Sequence, residues 1–161
     1  MWGPSGPGSQ RTGAGAFLTG RRHVDNRRLT DFLDPESGWE EFPGHTHASR
    51  HSAGGANFDE IEFPTPGPRG LTLRLHDTAR EEWSLSWSSS RTGVLFPPVT
   101  GRFEADGRGV FHGDDTCAGR PVRGHFVRSG ITDTTARWEQ AFSVDGGTAW
   151  TTNWITALTR R

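Results

Sequence analysis

The chain has 161 residues, 31% of them hydrophobic and 11% aromatic, with seven Trp, ten Phe, no Tyr and a formal net charge of -1. That length fits one domain, and the near-neutral charge excludes a nucleic-acid partner held mainly by phosphate contacts. The lone Cys117 excludes a disulfide framework and an all-thiolate metal site, and no apolar run approaches membrane-spanning length.

Residues 1–15 are dominated by Gly, Pro and Ser and read as a flexible arm before a single domain over 16–161. The opening Met1-Trp2-Gly3-Pro4 lacks the charged head and apolar centre of a signal peptide, so a cytoplasmic location is expected. Ala16 to Gly20 suggests a short helical turn plugging a barrel end. Strands are then expected over Arg21 to Leu29 and over Trp39 to Ser49, the latter open to a kink at Pro43-Gly44. After the Ala53-Gly54-Gly55 turn come Asn57 to Phe63 and Gly70 to His76, with Leu71, Leu73 and Leu75 marking the buried face.

Glu82 to Ser88 places Trp83, Leu85 and Trp87 on one face, and Gly93 to Val99 is a looser segment with Pro97-Pro98. Thr100 to Ala105 and Gly109 to Gly113 form a hairpin across Asp106-Gly107-Arg108. Arg120 to Arg128 and Thr134 to Ser143 follow, and a last strand ends near Thr159 with Trp150, Thr152, Trp154, Thr156 and Leu158 alternating. No helix of ordinary length intervenes. The pattern predicts an all-β, antiparallel up-and-down barrel of about ten strands, with a two-layer sandwich as its rival.

The densest titratable cluster runs from His45 to His51, and His45, His47 and Ser49 share a face. Three readings compete there: a general acid or base in a dry cavity, two ligands of a metal lacking a third, and solvent-facing residues beside a loop. The histidines share a face with Trp39, so they turn inward if it does and no bulge intervenes. Gln140 shares its face with Trp138 and Phe142 and either orients a ligand carbonyl or hydroxyl or forms a core amide bonded to Asn153 or a backbone group. Val122, Phe126 and Arg128 share one face, Arg123, His125 and Val127 the other; a buried Arg needs a carboxylate or a ligand anion. Haem would need a histidine at an apolar slot, from His23, His45, His47, His51, His76, His112 or His125, and the final strand has none. The aspartates of Asp114-Asp115-Thr116 and the Asp145-Gly146-Gly147 turn read as structural, and nothing near Cys117 supports covalent catalysis.

Thr100 to Asp115, Gly119-Arg120-Pro121-Val122, Ala136 to Ser143, Asp145-Gly146-Gly147, Trp150, Asn153-Trp154 and Thr159-Arg160 together resemble a family of small bacterial proteins of largely uncharacterised function. That family is itself similar to calycins, the group of lipocalins and fatty-acid-binding proteins. Arg22 and Arg128 stand where the family pattern has Trp, and Thr151 stands where it has an acid. Such exchanges mark either a specialised cavity or surface drift. The resemblance implies a barrel that encloses an organic ligand, and some such barrels in natural-product pathways act as cyclases.

The expected function is therefore binding of a small apolar organic molecule, with cofactor-independent cyclisation or isomerisation of a polyketide-like substrate as its catalytic form. A non-catalytic carrier is the alternative, and a haem-binding barrel is a third. Trp83, Trp87, Arg128, Trp138, Phe142, Trp150, Asn153 and Trp154 are the expected ligand contacts, with His45, His47 and Gln140 as catalytic candidates. No metal, cofactor, nucleic acid or membrane is expected, and homodimerisation is a general option for small proteins.

Overall fold

The structure, a computed structural model, describes residues 19–64 and 67–160. Strand β1 (Gly20–Leu29) opens a barrel that continues through β2 (Trp39–His51), β3 (Ala56–Glu62), β4 (Arg69–Asp77) and β5 (Glu82–Ser89). It proceeds through β6 (Val99–Phe103), β7 (Gly109–Cys117), β8 (Arg120–Ser129), β9 (Thr135–Ser143) and β10 (Thr151–Arg160). Every strand pairs antiparallel with its chain neighbours, and β10 returns to β1 from Arg22↔Arg160 to Arg28↔Trp154. The expected up-and-down barrel is the observed fold, and closure gives each described strand a partner on both sides. The arm expected over 1–15 and the helical turn begun at Ala16 lie outside the described residues; Gly20 already belongs to β1.

Two segments differ from the sequence expectation. Residues 93–98 are a loop attached by the single bridge Ser88↔Leu95, because the Pro97-Pro98 pair has no donors for a ladder. Strand β7 continues through Asp114 to Cys117 and meets β8 at Cys117↔Arg120 across a two-residue turn. Both turn residues, Ala118 (φ 49°) and Gly119 (φ 76°), are left-handed, the geometry that matches hairpin twist.

Pro43 does not break β2. Register with β1 runs unshifted from Gly20↔Ala48 to Leu29↔Trp39, and pairing with β3 starts only at His45↔Glu62, so the missing donor of Pro43 lies beyond β3. With no bulge, Trp39, His45 and His47 stay on one face, and that face is the outer one, where all three are exposed.

The inner face is more polar than the alternation suggested. Leu71, Leu73 and Leu75 point outward, with Leu75 46% exposed, while Gly70, Thr72 and Arg74 face the interior. This reverses the sequence assignment, and the cause lies across the sheet: Arg74 is opposite Asn57 on β3 and finds its partners inside. Two packed clusters close the lower end of the barrel. One joins Trp83, Leu85 and Phe111 with Val99, Phe103 and Phe126, and the other joins Val24, Ala136 and Leu158 with Ile61 and Ile131.

Candidate functional site

Above these clusters the barrel encloses a cavity of about 470 Å³. That volume falls within the range of about 300–1,000 Å³ typical of small-molecule sites. Phe63, Trp87, Phe126, Trp138, Phe142 and Trp154 form its walls. It reaches the surface at the end bearing Phe32 of the β1–β2 loop, Phe96 and Pro97 before β6, and the Asp114–Ala118 hairpin.

The aromatic walls are held in place by specific contacts. Trp138 meets Trp154 edge to face at 5.9 Å between centroids, and Phe126 lies 5.4 Å from Trp138. Asn26, buried at 2% exposure, accepts hydrogen bonds at 3.1 Å from both the Trp154 indole N–H and the Thr156 hydroxyl. The Arg28 guanidinium covers Trp154 at 5.4 Å and Phe42 at 4.9 Å. Trp87 lies against Gly70, where there is no room for a Cβ, so the glycine makes space for the indole.

Strand β10 carries a bulge between Thr152 and Trp154. The extra residue, Asn153, is fully buried; its amide oxygen accepts from Gln140 at 2.8 Å and its amide nitrogen donates to the Phe32 carbonyl at 3.2 Å. The bulge therefore ties the β1–β2 loop to the cavity wall and occupies the Gln140 amide nitrogen. It also breaks the alternation expected across the last strand: Trp154 and Thr156 face the cavity, whereas Thr152 is exposed and Trp150 lies outside.

The floor of the cavity is ionic. Arg74 donates from Nη2 to Asp59 Oδ2 at 2.6 Å and from Nη1 to Asn57 Oδ1 at 2.6 Å, and all three residues are buried. Arg128 on β8 is also buried and lines the same cavity. Burial first, then the charge of Arg74, lowers the Arg128 guanidinium to about 9, with Asp59 acting in the opposite direction. It remains charged at neutral pH. Arg22 is buried toward the opposite end and depressed by burial and by Arg160.

The expected site residues thus separate into groups. Trp87, Arg128, Trp138, Gln140, Phe142 and Trp154 line the cavity, and Asn153 braces its wall from behind Gln140. Trp83 lies in the packed cluster beneath, at 1% exposure. His45 and His47 are on the outer face, remote from the cavity, and none of the seven histidines lines it. Among the described residues no group of three His, Cys, Asp or Glu side chains is placed to hold a metal. Sequence reasoning missed Asp59 and Arg74. Their signal is a pair of opposite charges on adjacent strands, each at an alternate position with polar neighbours, which the period alone assigns to neither face.

Trp150 packs outside the barrel on a pair of stacked imidazoles. His112 and His125 are 4.9 Å apart and nearly parallel at 18°, with Trp150 5.1 Å from His125. Burial, then Arg123, lowers the His112 pKa; burial, then His112 and Arg108, lowers that of His125, with Glu139 opposing. The unfolded chain therefore takes up protons first as pH falls through the ordinary value of 6.5, and the folded state loses stability from there down to the depressed values. Urea midpoints should fall between pH 7.5 and 5.5, and the double variant His112→Gln, His125→Gln should flatten that slope. An unchanged slope in the double variant would remove the imidazole pair as its cause.

The described residues thus form a closed antiparallel ten-strand barrel around an aromatic-walled, internally charged cavity. Among solved structures it is similar to the S-type phycobiliprotein lyase CPES from Guillardia theta, with TM-score 0.56 and 9% identity over 96% of this chain and 98% of that one. No family profile and no curated protein matches the chain.

Proposed function

We propose that the protein binds a small organic molecule of large apolar area inside the barrel, through the end framed by Phe32, Pro97 and the Asp114–Ala118 hairpin. The observation that carries this reading is the cavity itself: a roomy, aromatic-walled space above the packed clusters that the described residues form. The structural neighbour is described as a phycobiliprotein lyase, and a bilin-like molecule belongs to the same broad ligand class. The lone thiol Cys117 fits a protein working in a reducing cytoplasm.

Titration with N-phenyl-1-naphthylamine, a neutral fluorescent probe, tests the reading. One probe per barrel should bind at micromolar concentration and quench tryptophan emission. Thr72→Trp fills the cavity from an inward position and should abolish binding while the barrel stays folded. Absence of binding, or binding untouched in folded Thr72→Trp, would sink the proposal.

A second reading, cofactor-independent cyclisation or isomerisation of a polyketide-like substrate, is favoured by Asp59, a carboxylate held beside Arg74 in the cavity lining. A bound chain folded against the aromatic walls would meet a proton acceptor and a cationic donor at the same depth. His45 and His47 take no part in it. Turnover of a linear polyene or polyketide-like precursor without added cofactor supports this reading, and tight binding without conversion leaves the protein a carrier.

A further inference from the structure

We infer that the molecule bound in the barrel carries a neutral N–H or O–H donor on its apolar body, and that this donor meets the side-chain carbonyl of Gln140. The inference rests on the ligand-binding reading above and specifies one group of the molecule bound. A chain of hydrogen bonds at the β10 bulge has its direction fixed from one end. The Phe32 backbone carbonyl can only accept, so the atom of Asn153 that lies 3.2 Å from it is the amide nitrogen. That turns Asn153 Oδ1 toward Gln140, whose nitrogen donates to it at 2.8 Å. Gln140 Oε1 is left as the end of the chain, an acceptor that no donor among the described residues reaches.

This acceptor stands in an apolar frame. Gln140 is 7% exposed and pairs across the sheet with Phe126 on β8 and Trp154 on β10. Trp138 and Phe142 flank it along β9 on the same face, and all five residues line the cavity. With aromatic side chains on four sides, a hydrogen bond made to this carbonyl is strong and one left unmade is costly. A pure hydrocarbon guest strips water from Oε1 and offers nothing in return. A guest carbonyl or ether oxygen sets two acceptors against each other. An ammonium needs a carboxylate as well, and Asp59, the buried carboxylate of the cavity lining, is engaged by Arg74 at 2.6 Å. A ring N–H, or a phenolic or enolic O–H, fits: the donor projects from the edge of a flat body whose faces meet the aromatic walls. Asn153 is then a positioning residue, because its bulge holds the Gln140 amide with the carbonyl free.

The test uses rigid tricyclic probes of one shape: carbazole with a ring N–H, fluorene with a methylene and dibenzofuran with a ring oxygen. Each displaces N-phenyl-1-naphthylamine, itself an N–H donor, from the full chain. Carbazole should bind at least about tenfold tighter than the other two, the size of a hydrogen bond made against one left unmade. Gln140→Met keeps the side-chain length, removes the acceptor and should bring the affinities to within about twofold without weakening fluorene. Asn153→Leu leaves the acceptor but frees the amide to turn, so the preference over dibenzofuran should shrink more than that over fluorene. A purely structural Asn153 would weaken all three probes alike. Should both variants fail to fold, the ranking in the wild-type protein remains decisive.

Failure of N-phenyl-1-naphthylamine to bind overturns the ligand-binding reading. If it binds, carbazole that competes no better than fluorene and dibenzofuran, or does not compete, overturns the donor alone. A carbazole preference that survives in folded Gln140→Met also overturns it, because the selectivity would then arise elsewhere.

Discussion

Asp59→Ala is expected to lower folding stability by about 3–5 kcal/mol, the range for removing one partner from a buried ion pair. The substitution takes away the carboxylate that the Arg74 guanidinium, at 5% exposure, engages in the cavity floor near the charge of Arg128. Coulomb repulsion and desolvation then act in the same direction. Urea unfolding followed by tryptophan emission measures the loss, and Arg74→Met in the Asp59→Ala background should recover most of it by removing the stranded charge. A single-variant loss below about 1 kcal/mol would show that water enters the floor and solvates the pair.

Trp83→Ala should be equally damaging, at about 3–5 kcal/mol, because the indole is buried against Leu85 and Phe111 and its removal leaves a large void. Trp87 sits four residues along the same strand and on the same face, yet it borders the open cavity and keeps measurable exposure. Trp87→Ala enlarges an existing space and should cost under about 2 kcal/mol while weakening the neutral probe several-fold. The contrast separates an indole that packs the barrel from one that meets the guest. If the two variants were equally destabilised, the boundary between cluster and cavity would be misplaced.

Much of the architecture was legible in the residue order. Alternation and turn chemistry located all ten strands within a few residues, including the Asp106-Gly107 hairpin, and meander order followed from the short connections. The face of each strand was harder to read. Period two distinguishes two sides without naming the inner one, and this barrel puts Asn57, Asp59 and Arg74 inside while Leu71, Leu73 and Leu75 face water. The histidines of β2 followed their register with Trp39 to the outer face for the same reason.

The bulge at Asn153 is a second kind of gap. One inserted residue shifts every side chain before it to the other side, which carried Trp150 out of the expected wall. The third concerns Arg128 and Arg22, whose positions in sequence were equally compatible with solvent. Only the packed barrel shows both guanidiniums below a tenth exposed.

Because the first and last strands complete the ring by pairing with each other, their contacts span almost the whole described chain. Such a seam forms only when the C-terminal strand has left the ribosome, and its high contact order makes it a late event in folding. Until then the nascent sheet has two raw margins and bares the indoles of β5 and β9 to solvent. Shielding of that aromatic surface during synthesis therefore matters most in the interval before β10 emerges to pair with β1.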